Sequence, residues 1–193
     1  MINATMSLIT AQLNQHLRRR FQVHEDLAIL SNLLESNGSV VPQVVNKLVI
    51  FLISVEQDTR AHRAAGVSLH NQGRVRTQDP VYLNIFAMCA ANFSGSNYPE
   101  ALKFLSGSIQ FLHERSVFDH QNTPDLDPSL DKLVLSIENL DRTEMQSIWG
   151  LHGGRYLPSV LFRVGMVSID GQQVQRRERP VSQIDPRLIR GGS

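Results

Sequence analysis

Apolar residues at Ile2, Met6, Ile9, Leu13 and Leu17 fall on one helical face, while Asn3, Gln12, Asn14 and Gln15 occupy the others. This three-to-four residue spacing predicts an amphipathic opening helix laid on a core. Arg18, Arg19 and Arg20 follow at its C-terminal end, where exposed positive charge complements the helix dipole by about 0.3–1 kcal/mol each. Leu27 to Leu34 is apolar with little polar relief and stops at the turn cluster Ser36-Asn37-Gly38-Ser39. It fits a strand or a short helix, and strand is the preferred reading. Leu48 to Val55 (LVIFLISV) is the clearest strand. It is short, β-branched and apolar at both alternate sets of positions, as expected of a central strand covered on both faces. Val81 to Ala91 reads as another strand, weakened by Asn84 and its alanines.

Between these strands, Glu56 to Pro80 is polar, interrupted by Gly66, Gly73 and Pro80, and carries Arg60, Arg63, Arg74 and Arg76. A long connection without a core pattern is often a binding element. Asn97-Tyr98-Pro99-Glu100 predicts a second helix start, with Asn97 capping free amides, Pro99 in the first turn and Glu100 reaching back. Tyr98, Leu102, Leu105, Ile109 and Leu112 trace its expected buried face, widened by Ala101, Phe104 and Phe111. Two prolines and two aspartates make Gln121 to Pro128 a loop. Leu133, Leu135 and Ile137 alternate with Lys132, Ser136 and Glu138, a strand with one wetter face, although Val134 breaks the alternation.

Asp141 and Glu144 form a second capping box, with Leu140 and Met145 placed to staple a short helix that runs from Arg142 to near Gly150. Met145, Ile148 and Trp149 are spaced so that Trp149 is expected in the core. Pro158 to Ile169 is a last strand in which Gly165 marks a possible bulge. From Asp170 the chain becomes polar and arginine-rich and loses its periodicity, reading as an extended arm. The order of elements predicts an α+β fold, a mixed β-sheet with helices packed mainly on one face. A body over residues 1–170 and an arm over 171–193 divide the chain.

With 193 residues, the chain is long enough for one well-buried core and short for two. Nineteen Lys and Arg against 18 Asp and Glu leave a net charge of +1, which provides no uniform field for nucleic acid or an anionic membrane. The single cysteine, Cys89, lies in an apolar run where a free thiol acts as a small apolar side chain, and this usage suits a reducing compartment. The opening residues lack the continuous apolar stretch of a signal peptide, and Val44 to Val55 is too short and too broken to span a bilayer. A cytoplasmic protein, without membrane insertion, is expected.

Chemistry is hard to build from these residues. The seven histidines (His16, His24, His62, His70, His113, His120 and His152) never pair at i,i+4, and neither HExxH nor GxSxG nor a phosphate-cradling glycine motif occurs. Gly150, Gly153 and Gly154 read as a helix end turning into a strand. No cofactor, metal or catalytic residue is expected. Arg176, Arg177, Arg179, Arg187 and Arg190 would suit a polyanion, but Glu178 and Asp185 interrupt them and no aromatic follows Phe162 to stack on a base. Docking to another protein is the preferred reading of the arm, with a solvated tail as the alternative.

Several segments taken in order resemble the N-terminal domain of cap proteins from contractile injection systems of the antifeeding-prophage and Photorhabdus virulence cassette type. They are the opening helix, the strand Leu48 to Val55 followed by acidic residues and Arg60, Tyr82-Leu83-Asn84-Ile85-Phe86, and Asn97-Tyr98-Pro99-Glu100-Ala101-Leu102. The strongest is a late run with Ile148-Trp149, Gly153, Tyr156, Pro158-Ser159, Phe162 and Val164. This chain departs from the family in its long loop before Val81 and in carrying Phe162 as the aromatic of the last strand. The resemblance implies a structural tail terminator, a hexameric ring that ends the inner tube and ties the contractile sheath to it. A baseplate-end adaptor of the same particle is the alternative. Under either reading the arginines at 60, 63, 74, 76, 176, 177, 179 and 187 are candidate protein-interface residues, and tube, sheath and like subunits are the partners.

Overall fold

The computed structural model describes residues 1–58 and 81–168. Three helices, α1 (Ile2–Phe21), α2 (Tyr98–Glu114) and α3 (Arg142–Leu151), accompany six strands: β1 (Ala28–Leu30), β2 (Lys47–Gln57), β3 (Val81–Asn92), β4 (Val117–Asp119), β5 (Leu130–Glu138) and β6 (Ser159–Ser168). The strands form one sheet in the order β1-β2-β3-β6-β5-β4. Only β1 and β2 run parallel, and every other neighbouring pair is antiparallel. The fold is α+β with a mixed sheet, as the order of elements predicts.

The sheet carries a core on each face because its middle strands are apolar at both alternate sets of positions. On one face, Leu48, Ile50, Ile85, Phe162 and Val164 pack with Met6, Ile9, Leu13 and Leu17 of α1 and with Phe104, Phe111 and Leu112 of α2. On the other, Val49, Phe51, Met88, Ala90 and Leu161 pack beneath Trp149 of α3 and beneath Leu33, Val41 and Val44 of the β1–β2 connection. Two of the three helices therefore share one face. The double coverage of β2 predicted from its composition holds only through Phe51; beyond it, Leu52 and Val55 are exposed.

Buried polar groups tie this frame together. Asn14 of α1 donates from Nδ2 to the Ala28 carbonyl and accepts the Ala28 amide on Oδ1, both at 2.8 Å. The side chain thus takes the place of a strand partner for the outer backbone of β1. It is buried, against the expectation that it lies on a wet face of α1. A lone amide on a helix reads as polar surface until the strand it serves is in place. Asn92 similarly donates to the Val44 carbonyl at 2.9 Å and anchors the end of the β1–β2 connection.

Several local expectations are corrected. The apolar run Leu27 to Leu34 forms only a three-residue strand, because the chain leaves the sheet after Leu30 to cover the opposite face. Asn97 makes no side-chain cap; it ends a 3-10 turn over Gly95–Asn97 with helix-like backbone angles (φ −87°, ψ 5°), which turn its side chain away from the first helical amides. The buried face of α2 is Ala101, Phe104, Leu105, Ser108, Phe111 and Leu112, while Tyr98, Leu102 and Ile109 are exposed. Gly107 explains part of this rotation: a Cβ there would stand 2.8 Å from the Phe21 ring and 3.0 Å from Leu17 Cδ2, so the glycine admits α1 at close range. Gly165 marks no bulge, since it pairs in register with Asn84 on one side and Val134 on the other. The irregularities fall instead between Leu52 and Ser54 in β2 and between Leu130 and Lys132 in β5. Ile137 is exposed rather than inward, and β4 was not predicted.

The Asp141 capping box is present in full. Asp141 Oδ1 accepts the Glu144 amide at 2.7 Å and Glu144 Oε2 accepts the Asp141 amide at 2.9 Å. Leu140 and Met145 both pack on the second core, where a hydrophobic staple would place them. Trp149 is buried, as its spacing predicts.

Candidate assembly interface

The candidate arginines of the loop (Arg60, Arg63, Arg74 and Arg76) and of the arm (Arg176, Arg177, Arg179 and Arg187) lie outside the described residues. The structure does show where their segments join the sheet. Val81 of β3 and Ser168 of β6 are register partners, and the Asp58 amide donates to the Tyr82 carbonyl at 2.9 Å. The loop and the arm therefore depart from one end of the sheet, from adjacent strands.

Beside that end, β2 outruns its neighbour. β1 pairs only with Leu48, Val49 and Ile50, so among the described residues Phe51 to Gln57 have no strand on their outer side. The direction of their backbone groups follows from the bonds present. The Leu48 amide donates to the Leu27 carbonyl at 2.8 Å, and the Ile50 carbonyl accepts from Ser31 at 3.1 Å, so these residues turn their amides and carbonyls toward β1. Alternation carries the same direction to Leu52. Across the irregularity it passes to Val55 and Gln57, which face Ile85 and Leu83 as Leu52 faces Ala87. The side chains of Leu52 and Val55 are 45% and 38% exposed, so the open backbone is also flanked by open apolar surface.

On the α3 side of the same strand lies a groove of about 500 Å³ whose walls include Ile53, Ser54, Glu56, Phe86, Ile148 and Leu161. Glu138 and Glu144 stand at its rim. Nearby, Arg163 Nε donates to Glu138 Oε1 at 2.8 Å and Ser136 donates to the same oxygen at 3.2 Å, fixing a polar floor next to the apolar wall. Sequence reasoning placed contacts in the arginine segments and did not identify which edge of the sheet lacks an outer strand. The signal available was the change inside one strand from apolar on both faces to Ser54 and Glu56 on the α3-side face.

A second cleft, between α1 and α2, has Gln12, His16, Arg19, Arg20, Glu114 and Arg115 on its walls. Burial holds the His16 imidazole below its usual pKa, with Arg20 and Arg115 pushing the same way and Glu114 opposing. The ring packs against Phe111 with centroids 5.7 Å apart.

Cys89, His120 and His152 are engaged in structure. Cys89 is buried, and desolvation pushes its thiol up to about 12, with a Ser108 hydrogen bond opposing the shift; such a thiol is a poor nucleophile. His120 Nε2 lies 2.8 Å from the Leu130 carbonyl and His152 Nδ1 lies 2.8 Å from the Ile148 carbonyl. Gly153 and Gly154 adopt positive φ, and the Gly154 amide donates to the Trp149 carbonyl at 2.9 Å, so this glycine group is the turn that ends α3. Among the described residues no three His, Cys, Asp or Glu side chains gather as a metal site, and no helix is long and apolar enough to cross a membrane.

Comparison with solved structures returns the same fold. The cryo-EM structure of the anti-feeding prophage cap, described as the tube terminating cap, superposes with a TM-score of 0.51 at 14% identity, over 92% of this chain and 59% of that one. The sheath/tube terminator of the PVC extracellular contractile injection system, in its extended state, superposes with a TM-score of 0.51 at 14% identity, over 91% of this chain and 61% of that one. The chain thus spans about three fifths of the length of these solved relatives. No curated protein matches it by sequence. The family model for the Pvc16 N-terminal domain matches residues 4–183, nearly the whole chain including both sheet faces and the start of the arm, and the chain therefore belongs to the Pvc16 N-terminal domain family.

Proposed function

We propose that this protein is a structural tail terminator of a phage-tail-like contractile injection particle. It forms a ring, hexameric as the family resemblance implies, which seats on the last ring of the inner tube, stops growth and anchors the sheath. The family match over residues 4–183 carries this reading. The two structural relatives are described as a tube terminating cap and a sheath/tube terminator, which supports the same role here. Assembly takes place in the bacterial cytoplasm, and the protein works without catalysis or cofactor.

The division of labour follows from elementary requirements of a closed ring. Each subunit needs one surface and its complement, related by a rotation that closes. The body, residues 1–170, supplies a sheet with a core on each face, and the loop 57–79 and arm 171–193 supply arginine-bearing contacts. Nucleic acid is not a partner on this reading.

Deletion of the gene in the producing bacterium, followed by imaging of particles, tests the role. Tubes of uncontrolled length or detached sheaths are expected; particles of normal length with attached sheath would refute a terminator. Imaging of labelled protein at the end opposite the baseplate separates this role from that of a baseplate-end adaptor.

A further inference from the structure

We infer that the outer edge of β2, from Leu52 to Gln57, is the docking site for the arginine-rich arm of a second copy of this chain, which joins the sheet as an added strand. This rests on the ring-forming reading above. Strand addition requires an open edge with outward amides and carbonyls, and side-chain pockets alternating on either face. Leu52, Val55 and Gln57 turn their backbone groups outward, as the pairing on either side of them dictates. Exposed Leu52 and Val55 line the helix-side face of this edge. The groove with Ile53, Phe86 and Ile148 lines the other.

The contrast with β1 sharpens the assignment. At the outer side of β1, Ala28 has both backbone groups satisfied by Asn14, so α1 closes that stretch. Natural sheets blunt or cover long edges because an open apolar edge invites pairing. Here the closure stops where the open segment of β2 begins.

Charge favours the arm as occupant. Glu56 is exposed on β2, and the groove beside it is also lined by Glu144, which caps α3, and by Glu138, which is paired with Arg163. The arm carries Arg176, Arg177, Arg179, Arg187 and Arg190 against Glu178 and Asp185. Its apolar residues Val174, Val181 and Ile184 supply side chains for the groove and for the Leu52–Val55 surface. Fully extended, residues 169–193 reach about 80 Å at roughly 3.3 Å per residue, which leaves ample chain to cross to a neighbour.

Topology favours a second copy over the chain's own arm. Ser168 ends β6 on the far side of β3 from the open edge, at the same end of the sheet as the β2–β3 connection. An arm folding back onto its own β2 would have to cross that connection, and crossings at one end of a sheet are avoided in folded chains. Donation to a neighbour avoids the crossing and repeats head to tail, the geometry that closes a ring.

The test uses the full chain in two differently tagged forms, one with Val55→Cys and the other with a cysteine at one arm position, Val174→Cys, Val181→Cys or Ile184→Cys in turn. Cys89 is buried and stays silent. Mild oxidation of the mixture is expected to link the two forms at one arm position at least ten times more than a control pair with Leu102→Cys on exposed α2. Glu56→Arg in the Val55→Cys form is expected to lower the yield at least threefold. No link at any arm position, or a yield equal to the control, would overturn the assignment. Particle imaging keeps the two readings apart: absent links with lost length control leave the terminator standing without this contact. Strong links with normal particles leave the contact standing without the terminator role.

Discussion

Val81 and Ser168 face each other across β3 and β6, and this register partnership joins two segments far apart in the chain at one end of the sheet. The polar loop that leads into Val81 and the arm that follows Ser168 each carry candidate arginines. Neither segment shows from its own residues that it starts beside the other. Their shared origin sets the starts of both segments beside the end of β2 that has no strand on its outer side among the described residues.

Asn14 is the most consequential polar residue of the core. Asn14→Ala leaves the Ala28 amide and carbonyl without their 2.8 Å partners, and each unsatisfied buried group costs about 1–3 kcal/mol. Chemical denaturation of the variant is expected to show a loss of roughly 2–4 kcal/mol, with Asn14→Asp recovering only the hydrogen bond accepted from the Ala28 amide. A loss below about 0.5 kcal/mol, the size of an ordinary surface change, would contradict this role.

Trp149 is buried against Phe51, Tyr156 and His152, with ring centroids 5.8 to 6.5 Å away. Trp149→Ala is expected to cost about 3–5 kcal/mol. Its indole nitrogen has no hydrogen-bond partner among the described residues, so Trp149→Phe is expected to lose packing but no bond and to cost less than half as much. The protein has one tryptophan, so fluorescence of the wild type follows this site alone: emission shifts to the red on unfolding, and circular dichroism compares the variants.

Asp141 caps α3 through the Glu144 amide at 2.7 Å. Asp141→Ala is expected to remove about 0.5–2 kcal/mol, lowering the thermal midpoint by about 2–4 °C per kcal/mol for a chain of this size. Asp141→Asn, which keeps the acceptor oxygen, should recover most of the loss. Equal melting of the alanine and asparagine variants would show that the cap contributes nothing.

Cys89 supplies a pH test. Its thiol is raised by burial from 9.0 to about 12, so the unfolded chain releases this proton at lower pH than the folded one. The folded state then binds more protons across that interval, and stability falls as pH rises from about 9 toward 12. Cys89→Ala is expected to flatten part of that decline in alkaline denaturation curves. At pH 8 the native thiol should resist alkylation and react freely once the chain is unfolded; rapid labelling of the native protein would refute its burial.

The same residues show which expectations local sequence could support. The Asp141–Glu144 box was legible because a cap is an interaction between positions three apart, complete within one turn. The equivalent reading of Asn97 failed because the preceding residues already form a 3-10 turn, which changes the backbone angles at the cap. On α2, apolar residues cover more than one face, and periodicity had no means of choosing between them. The choice came from the approach of α1 at Gly107 and from the sheet below.

Hydrophobic periodicity determined the order and type of the long elements, the two-sided coverage of the first half of β2 and the burial of Trp149, because each depends on spacing within a single segment. Pairing between distant segments decided the rest: the strand order, the three-residue lengths of β1 and β4, the burial of Asn14 and the edge from Leu52 to Gln57 that has no outer strand among the described residues. An edge is a property of two strands of unequal reach. The residues of β2 show that it is a strand, and only the place where β1 leaves the sheet shows which part of it β1 does not cover.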